Sequence, residues 1–200
     1  MPYTYLALGD SYTIGEAEPV IKSFPYQTVQ LLRQQGLDLA APEIIAKTGW
    51  TTDELQAAID TYTFSEGYDF VSLLIGVNNQ YRGYSLAIYQ KEFETLLQQA
   101  IRFARNKKEN VAVLSIPDYS ITPFAQEKDP QKIQKEIETF NAANKALADG
   151  YNIYYINITE SSRQAKNNVN LLAPDGLHPS AEEYKKWAAE LAPKMKSVLS

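Results

Sequence analysis

The sequence has no cysteine and only one histidine among its 200 residues. Without cysteine the chain has neither disulfides nor thiolate chemistry, so cysteine usage does not assign it to a redox compartment. Any reaction that needs an imidazole base must use His178, because no other histidine is present.

Positive charge and long apolar runs are also scarce. The net charge is −5 and the pI is about 5.0, and Lys and Arg form no cluster longer than short pairs such as Lys107-Lys108. We therefore expect no nucleic-acid partner, since such proteins concentrate basic residues on one face. No apolar run approaches the ~20 residues that span a bilayer, and Met1 to Leu8 does not have the pattern of a signal peptide. We expect no membrane span and a cytoplasmic location, although a chain whose signal peptide had been removed would look the same.

The composition is typical of a globular protein. Apolar residues make up 44% of the sequence and charged residues 22%. A chain of this length is served by one hydrophobic core. We therefore expect residues 1–200 to form a single domain.

Apolar β-prone runs alternate with amphipathic segments along the chain. The predicted strands are Tyr3–Leu8, Glu43–Ala46, Phe70–Ile75, Val111–Ile116 and Tyr151–Ile156. The predicted helices are Phe24–Gln35, Thr52–Thr61, Leu86–Asn106, Pro130–Asp149, a short piece near Ser161–Asn167, and Ala181–Leu199. This alternation predicts an α/β fold with a five-stranded, mostly parallel sheet and helices on both faces.

Two helix starts carry capping-box patterns, Thr51 with Glu54 and Ser180 with Glu183. The second pattern predicts that the last helix begins just after His178. In parallel sheets ligands bind beyond the carboxyl ends of the strands. The residues whose side chains could take part in a reaction fall in loops at those ends.

Ser11 follows the first predicted strand and is a candidate nucleophile. A serine hydroxyl needs a neighbouring base at neutral pH, and His178 is the one histidine that can serve. Asp175 lies three residues before His178, a spacing at which a turn brings a carboxylate to the imidazole Nδ1. These three residues predict a Ser-His-Asp triad.

Acyl transfer also needs donors for the developing oxyanion. The backbone N–H of Ser11, the N–H of Gly49 and the side-chain amide of Asn78 are the candidates, each from a different strand end. Asn79 can instead cap a following segment, so Asn78 is favoured. Asp10 can contact the nucleophile loop, but we favour a structural role for it in the turn.

Each of these residues taken alone has an ordinary interpretation. Gly-Asp-Ser and Asp-Gly are common in turns, and a single histidine is often structural. Loop aromatics are more often core residues than pocket residues, so substrate contact stays open for Tyr12, Trp50, Tyr81, Tyr119 and Phe124. The roles of nucleophile, base, orienting carboxylate and oxyanion donor are nevertheless all filled, and no second candidate competes for any of them. This completeness favours catalysis.

The chain resembles the SGNH hydrolases, also called the GDSL esterase/lipase family, from end to end. Four blocks match in order: Leu8-Gly9-Asp10-Ser11-Tyr12-Thr13, Ala46-Lys47-Thr48-Gly49-Trp50, Gly76-Val77-Asn78-Asn79, and Asp175-Gly176-Leu177-His178-Pro179-Ser180. The resemblance implies a three-layer α/β/α sandwich similar to flavodoxin, without a metal or organic cofactor. It also implies the same triad and oxyanion donors. Tyr12 stands where the family often has leucine, a difference that concerns the acyl pocket.

These observations predict a carboxylic-ester hydrolase that acts on a small-molecule ester through an acyl-enzyme. Short acyl groups are favoured because the chain offers no long insertion for a lipid groove. A lysophospholipase or thioesterase would use the same residues. A non-catalytic carbohydrate- or acyl-binding module is the alternative of another class, and it is disfavoured because no triad member is missing.

Overall fold

The computed structural model describes residues 1–200, and its centre is one five-stranded parallel sheet. The strand order is β2-β1-β3-β4-β5, the order of flavodoxin-like sheets. The strands are β1 (Tyr5–Asp10), β2 (Glu43–Lys47), β3 (Phe70–Leu74), β4 (Val111–Leu114) and β5 (Tyr154–Ile156). Every residue of β1, β3 and β4 is buried, as expected for parallel strands covered on both faces, whereas the edge strands β2 and β5 are partly exposed.

Helices cover both faces of the sheet. They are α1 (Ser11–Ile14), α2 (Phe24–Gln34), α3 (Thr52–Thr61), α4 (Val77–Tyr81), α5 (Leu86–Phe103), α6 (Pro130–Tyr151), α7 (Thr159–Arg163) and α8 (Ala181–Leu199). Helices α2 and α8 pack against each other, and α5 packs between α3 and α6. The predicted three-layer α/β/α sandwich with a five-stranded parallel sheet is confirmed. None of the helices has the length and apolar character needed to cross a membrane.

The strand register brings three chain segments to the same edge of the sheet. Leu8 of β1 pairs with Ile45 of β2 on one side and with Leu73 of β3 on the other. Because these strands run parallel and in step, their carboxyl ends lie side by side. The loops that follow them carry the predicted nucleophile and oxyanion donors.

The boundary between α6 and β5 differs from the prediction. The sequence pattern predicts Tyr151 in the strand, but this residue is the last one of α6, and its hydroxyl donates to Glu94 on α5 at 2.7 Å. Asn152 then ends the helix in the left-handed conformation, with φ of 59°. The strand therefore begins only at Tyr154.

The second capping-box prediction holds only in part. The Ser180 hydroxyl accepts from the Glu183 N–H at 3.5 Å, and α8 begins at Ala181 as expected. The Glu183 carboxylate does not return to the Ser180 N–H. It turns into the core, where it accepts from the Ser161 hydroxyl at 2.6 Å and from Trp187 Nε1 at 2.9 Å. This carboxylate therefore joins α7 to α8.

Candidate active site

Ser11 is buried at the junction of β1 and α1. The preceding Asp10 caps this short helix, because its Oδ1 accepts from the Tyr12 N–H at 3.0 Å. Gly9 allows the turn to pack closely, since a Cβ there would lie 2.1 Å from Thr13 Oγ1 and 2.4 Å from the Leu74 carbonyl oxygen. The serine hydroxyl is thus held on a tightly packed turn.

The loop that carries His178 is organised around Asp175. Asp175 Oδ1 accepts from the N–H groups of Leu177 and His178, each at 3.0 Å. Its Oδ2 lies 2.6 Å from His178 Nδ1, and His178 Nε2 lies 3.0 Å from Ser11 Oγ. The structure therefore brings the three predicted triad residues into one hydrogen-bonded chain.

Asp175 stays ionised in this loop. Its partial burial alone would raise the carboxyl pKa, but the hydrogen bonds from the His178 ring and from the Leu177 and His178 N–H groups outweigh burial and lower that pKa. A carboxylate on Nδ1 fixes the ring so that Nε2 faces the serine hydroxyl. The ring orientation is therefore set by a charged partner.

Gly49 and Asn78 line the same pocket as Ser11 and His178. Gly49 has φ of +83°, a left-handed conformation that favours glycine, and its N–H donates to no group of the protein. Asn78 Nδ2 donates to the Trp50 carbonyl at 2.9 Å. An amide carries two N–H bonds, so one stays free to point at a ligand.

These groups share one pocket of about 150 Å³. Its lining residues are Ser11, Tyr12, Thr48, Gly49, Val77, Asn78, Tyr81, Tyr119, Phe124, Leu177 and His178. Four of the five loop aromatics left open by the sequence therefore line the pocket, and Trp50 does not. Thr48, Val77 and Leu177 were not predicted, although each is adjacent in sequence to a predicted site residue.

The sequence model of the GDSL-like Lipase/Acylhydrolase family matches residues 7–186. The chain belongs to this family. The expected membership is thereby confirmed, and with it the expectation that the chain is a carboxylic-ester hydrolase. No curated protein sequence matches the chain.

Solved structures share the fold of this GDSL-like acylhydrolase at low sequence identity. A lipase/acylhydrolase from Enterococcus faecalis is 19% identical, with a TM-score of 0.78 over 100% of this chain and 98% of the other. TesA is 19% identical, with a TM-score of 0.77 over 98% and 99%. Axe2, an acetylxylan esterase from Geobacillus stearothermophilus, is 17% identical, with a TM-score of 0.72 over 96% and 94%. At these identities the likeness concerns the fold.

Three aromatic side chains form one wall of the acylhydrolase pocket. The ring centroids of Tyr81, Tyr119 and Phe124 lie 6.0 to 6.4 Å apart. Burial raises the pKa of Tyr119 to about 12, so its phenol stays protonated, and it donates to Gln80 Oε1 at 2.9 Å. The Lys128 ammonium covers the outer side of the wall, about 5 Å from the Tyr81 and Phe124 rings. The wall is therefore apolar toward the pocket and charged at its rim.

Asn79 faces away from the pocket. Its Oδ1 accepts from the Thr52 N–H at 3.1 Å, and its Nδ2 donates to the Thr52 hydroxyl at 2.6 Å. It therefore caps α3 across space, whereas its neighbour Asn78 lines the pocket.

No cluster of three or more His, Cys, Asp or Glu side chains with the arrangement of a metal site occurs in the chain.

Proposed function

We propose that this acylhydrolase is a serine esterase that works through an acyl-enzyme. Ser11 is the nucleophile, His178 the general base and acid, and Asp175 the residue that orients the imidazole. The observation that carries the proposal is the continuous chain from Asp175 Oδ2 through His178 to Ser11 Oγ, with distances of 2.6 and 3.0 Å. Such a chain is the arrangement that activates a serine hydroxyl at neutral pH.

The reaction proceeds in two matched halves. Ser11 Oγ attacks the ester carbonyl carbon while His178 Nε2 accepts the hydroxyl proton, and a tetrahedral oxyanion forms. The intermediate collapses to the acyl-enzyme as His178 gives the proton to the departing alcohol oxygen. Water, deprotonated by His178, then attacks the acyl carbon, and return of the proton to Ser11 Oγ releases the carboxylic acid. Asp175 stabilises the imidazolium at each stage.

The oxyanion is held by three donors in this proposal: the N–H of Ser11, the N–H of Gly49 and the free N–H of the Asn78 amide. Two observations support the Gly49 and Asn78 donors. Both residues line the pocket, and neither the Gly49 N–H nor the second N–H of the Asn78 amide donates to a protein group. Loss of one such donor typically costs ~3 kcal/mol in the barrier.

A short acyl group fits the site best. The pocket of about 150 Å³ is smaller than the roughly 300–1,000 Å³ of pockets for drug-sized ligands. Three of its lining residues, Tyr81, Tyr119 and Phe124, are bulky aromatics that limit the space for an acyl chain. The same fold carries an enzyme named for acetyl ester cleavage, which agrees with a small acyl group here.

A series of p-nitrophenyl esters from acetate to octanoate tests both parts of the proposal. We expect kcat/KM to be highest for acetate to butyrate and to fall for longer chains, because those chains exceed the pocket. A maximum at octanoate would contradict the short-chain preference and favour a lysophospholipase or thioesterase. The Ser11→Ala variant, measured in parallel, should lose at least about 10³-fold in kcat. Turnover within a few-fold of the parent enzyme would refute the nucleophile assignment.

A further inference from the structure

The loop Thr48–Thr51, which carries Gly49, is held in place by groups from the chain after β3. The Trp50 carbonyl accepts from Asn78 Nδ2 at 2.9 Å. The Gly49 carbonyl accepts from Arg82 Nη2 at 2.6 Å. Asn78 and Arg82 are four residues apart, so they project from the same side of one helical turn. Two successive carbonyls of the loop are therefore bound by this one turn.

The other end of the guanidinium is also held. Arg82 Nη1 donates to Glu54 Oε1 at 3.1 Å, and Glu54 Oε2 accepts from the Thr51 N–H at 2.9 Å. The hydrogen bond from Thr51, reinforced by Arg82, lowers the pKa of Glu54. The guanidinium thus bridges the Gly49 carbonyl and the start of α3.

We propose that Arg82 is a positioning residue for the oxyanion hole: by fixing the Gly49 carbonyl it holds the Gly49 N–H toward the pocket. The inference rests on the proposed function of Gly49 as an oxyanion donor. Glycine in the left-handed region has little intrinsic preference to stay there, because no Cβ restricts its backbone. With φ of +83°, Gly49 needs an external restraint to keep its N–H aimed at one point.

The position of Arg82 separates this role from a role in stability. Its side chain is 41% exposed and its ion-pair partner Glu54 is 39% exposed. Ion pairs this exposed contribute little to folding because solvent screens them. Removing the guanidinium should therefore alter the geometry of the loop without unfolding the protein.

The expected effect is smaller than the loss of a donor. Losing one oxyanion donor outright lowers kcat by about 10²–10³-fold. If the Gly49 N–H remains but its position is no longer fixed, only part of this contribution to kcat is lost. Arg82→Ala should therefore lower kcat about 10-fold. KM should change less than about two-fold, since the interaction is strongest in the transition state. Arg82→Lys should recover activity only in part, because one ammonium cannot span the two acceptors as the planar guanidinium does.

Arg33 offers a matched control near the amino ends of the strands, away from the pocket at their carboxyl ends. Its Nε and Nη2 donate to the Leu39 carbonyl at 2.9 and 2.7 Å, so it too binds a backbone carbonyl through a guanidinium. Leu39 bridges to Tyr3, which precedes the amino end of β1. Arg33→Ala should therefore leave kcat unchanged within two-fold.

The experiment measures kcat and KM for p-nitrophenyl acetate with the parent enzyme, Arg82→Ala, Arg82→Lys and Arg33→Ala, together with their unfolding midpoints. It also measures inhibition by a small alkyl boronic acid, whose tetrahedral serine adduct presents an oxygen to the same donors. We expect the boronate affinity of Arg82→Ala to fall by the same factor as kcat. Glu54→Gln, which keeps the arginine but removes its charged partner, should give a smaller loss of the same kind and serves if Arg82→Ala fails to fold.

The inference is overturned if Arg82→Ala keeps kcat within two-fold, if Arg33→Ala loses as much, or if boronate affinity stays constant while kcat falls. These results are distinguishable from failure of the proposed function. If Ser11→Ala is inactive and Arg82→Ala is fully active, only the positioning role is lost. If Ser11→Ala is active, the proposed function itself is wrong.

Discussion

Two carboxylates near the nucleophile have pKa values shifted in opposite directions by their surroundings. Asp175 is held ionised by its bonds to the His178 loop. Asp10 is buried, with a single hydrogen bond from the Tyr12 N–H and no partner for its Oδ2. Burial raises the pKa of Asp10 to about 7. Asp10 is therefore the carboxylate in this region whose charge changes near neutral pH.

The Asp10 shift predicts that the protein loses stability as the pH rises toward neutrality. Between the unfolded value of 3.8 and about 7, the folded state keeps a proton that the unfolded chain has lost. This contribution is fully present below about pH 4 and disappears as the pH passes 7. Asp10→Asn resembles the protonated acid and keeps the bond to the Tyr12 N–H. Relative to this variant, the parent protein should lose up to about 4 kcal/mol of unfolding free energy from pH 4 to 8. Urea unfolding across that range tests the effect, and parallel profiles for the two proteins would contradict it.

Single residues differed in how well the sequence predicted them. Position beside a strand end, or in a turn suited to the residue's chemistry, predicts Ser11, Gly49, Asn78, Asp175 and His178. Four of these residues line one pocket, and the fifth, Asp175, contacts that pocket only through His178. The contact of Arg82 with the Gly49 carbonyl was not foreseen. It joins segments 33 residues apart through a flexible side chain, and no local pattern encodes such a contact.

At the scale of elements, α4 assigns opposite tasks to two adjacent asparagines. Neighbouring residues on a helix point about 100° apart. Asn78 therefore faces the pocket. Asn79 is fully buried and forms hydrogen bonds with the N–H and the hydroxyl of Thr52, the first residue of α3. The helix therefore places a pocket-lining amide and a buried structural amide on consecutive residues.

This division predicts distinct effects of the two alanine variants. Asn79→Ala leaves the buried Thr52 N–H without its acceptor and should cost about 1–3 kcal/mol of stability. Asn78→Ala should lower kcat about 10²–10³-fold with a much smaller change in stability, because it removes the proposed oxyanion donor. Urea unfolding and p-nitrophenyl acetate turnover measure the two effects. The reverse pattern, a stability loss at Asn78 and a catalytic loss at Asn79, would contradict the assignment.

Long periodic patterns predict their elements well, and the short helix expected near Ser161–Asn167 overlaps α7, whereas two other short helices have no sequence signal. The buried strands and the long helices were placed within a few residues. Helices α1 and α4 span only four and five residues, too few to show a helical period, and were missed. The junction of α6 and β5 was misplaced because Tyr151 fits either element, and the left-handed turn at Asn152 decides between them.

At the scale of the whole molecule, one hydrophobic core joins all layers. A cluster of 47 buried residues extends through the sheet and the helices. Trp187 on α8 contacts the rings of Phe24 on α2 and Tyr12 on α1, and Tyr12 in turn contacts the His178 ring. The support behind the site is therefore continuous with the core.

This continuity predicts that residues 1–200 unfold as one cooperative domain. Trp50 lies in the loop Thr48–Thr51 and Trp187 lies in the core, so variants that keep only one tryptophan report on the two regions separately. In each variant, the fluorescence transition in urea should coincide with the far-UV circular dichroism transition of that same variant. Two separated transitions would contradict the single-domain organisation.

In the proposed mechanism His178 activates Ser11 as a nucleophile, and reaction with a fluorophosphonate reports this activation at the serine itself. We predict one covalent adduct per chain, located on Ser11 by peptide mass spectrometry. His178→Ala should label far more slowly, and Ser11→Ala should not label. An adduct on another residue, or labelling of Ser11→Ala at the rate of the parent enzyme, would contradict the account.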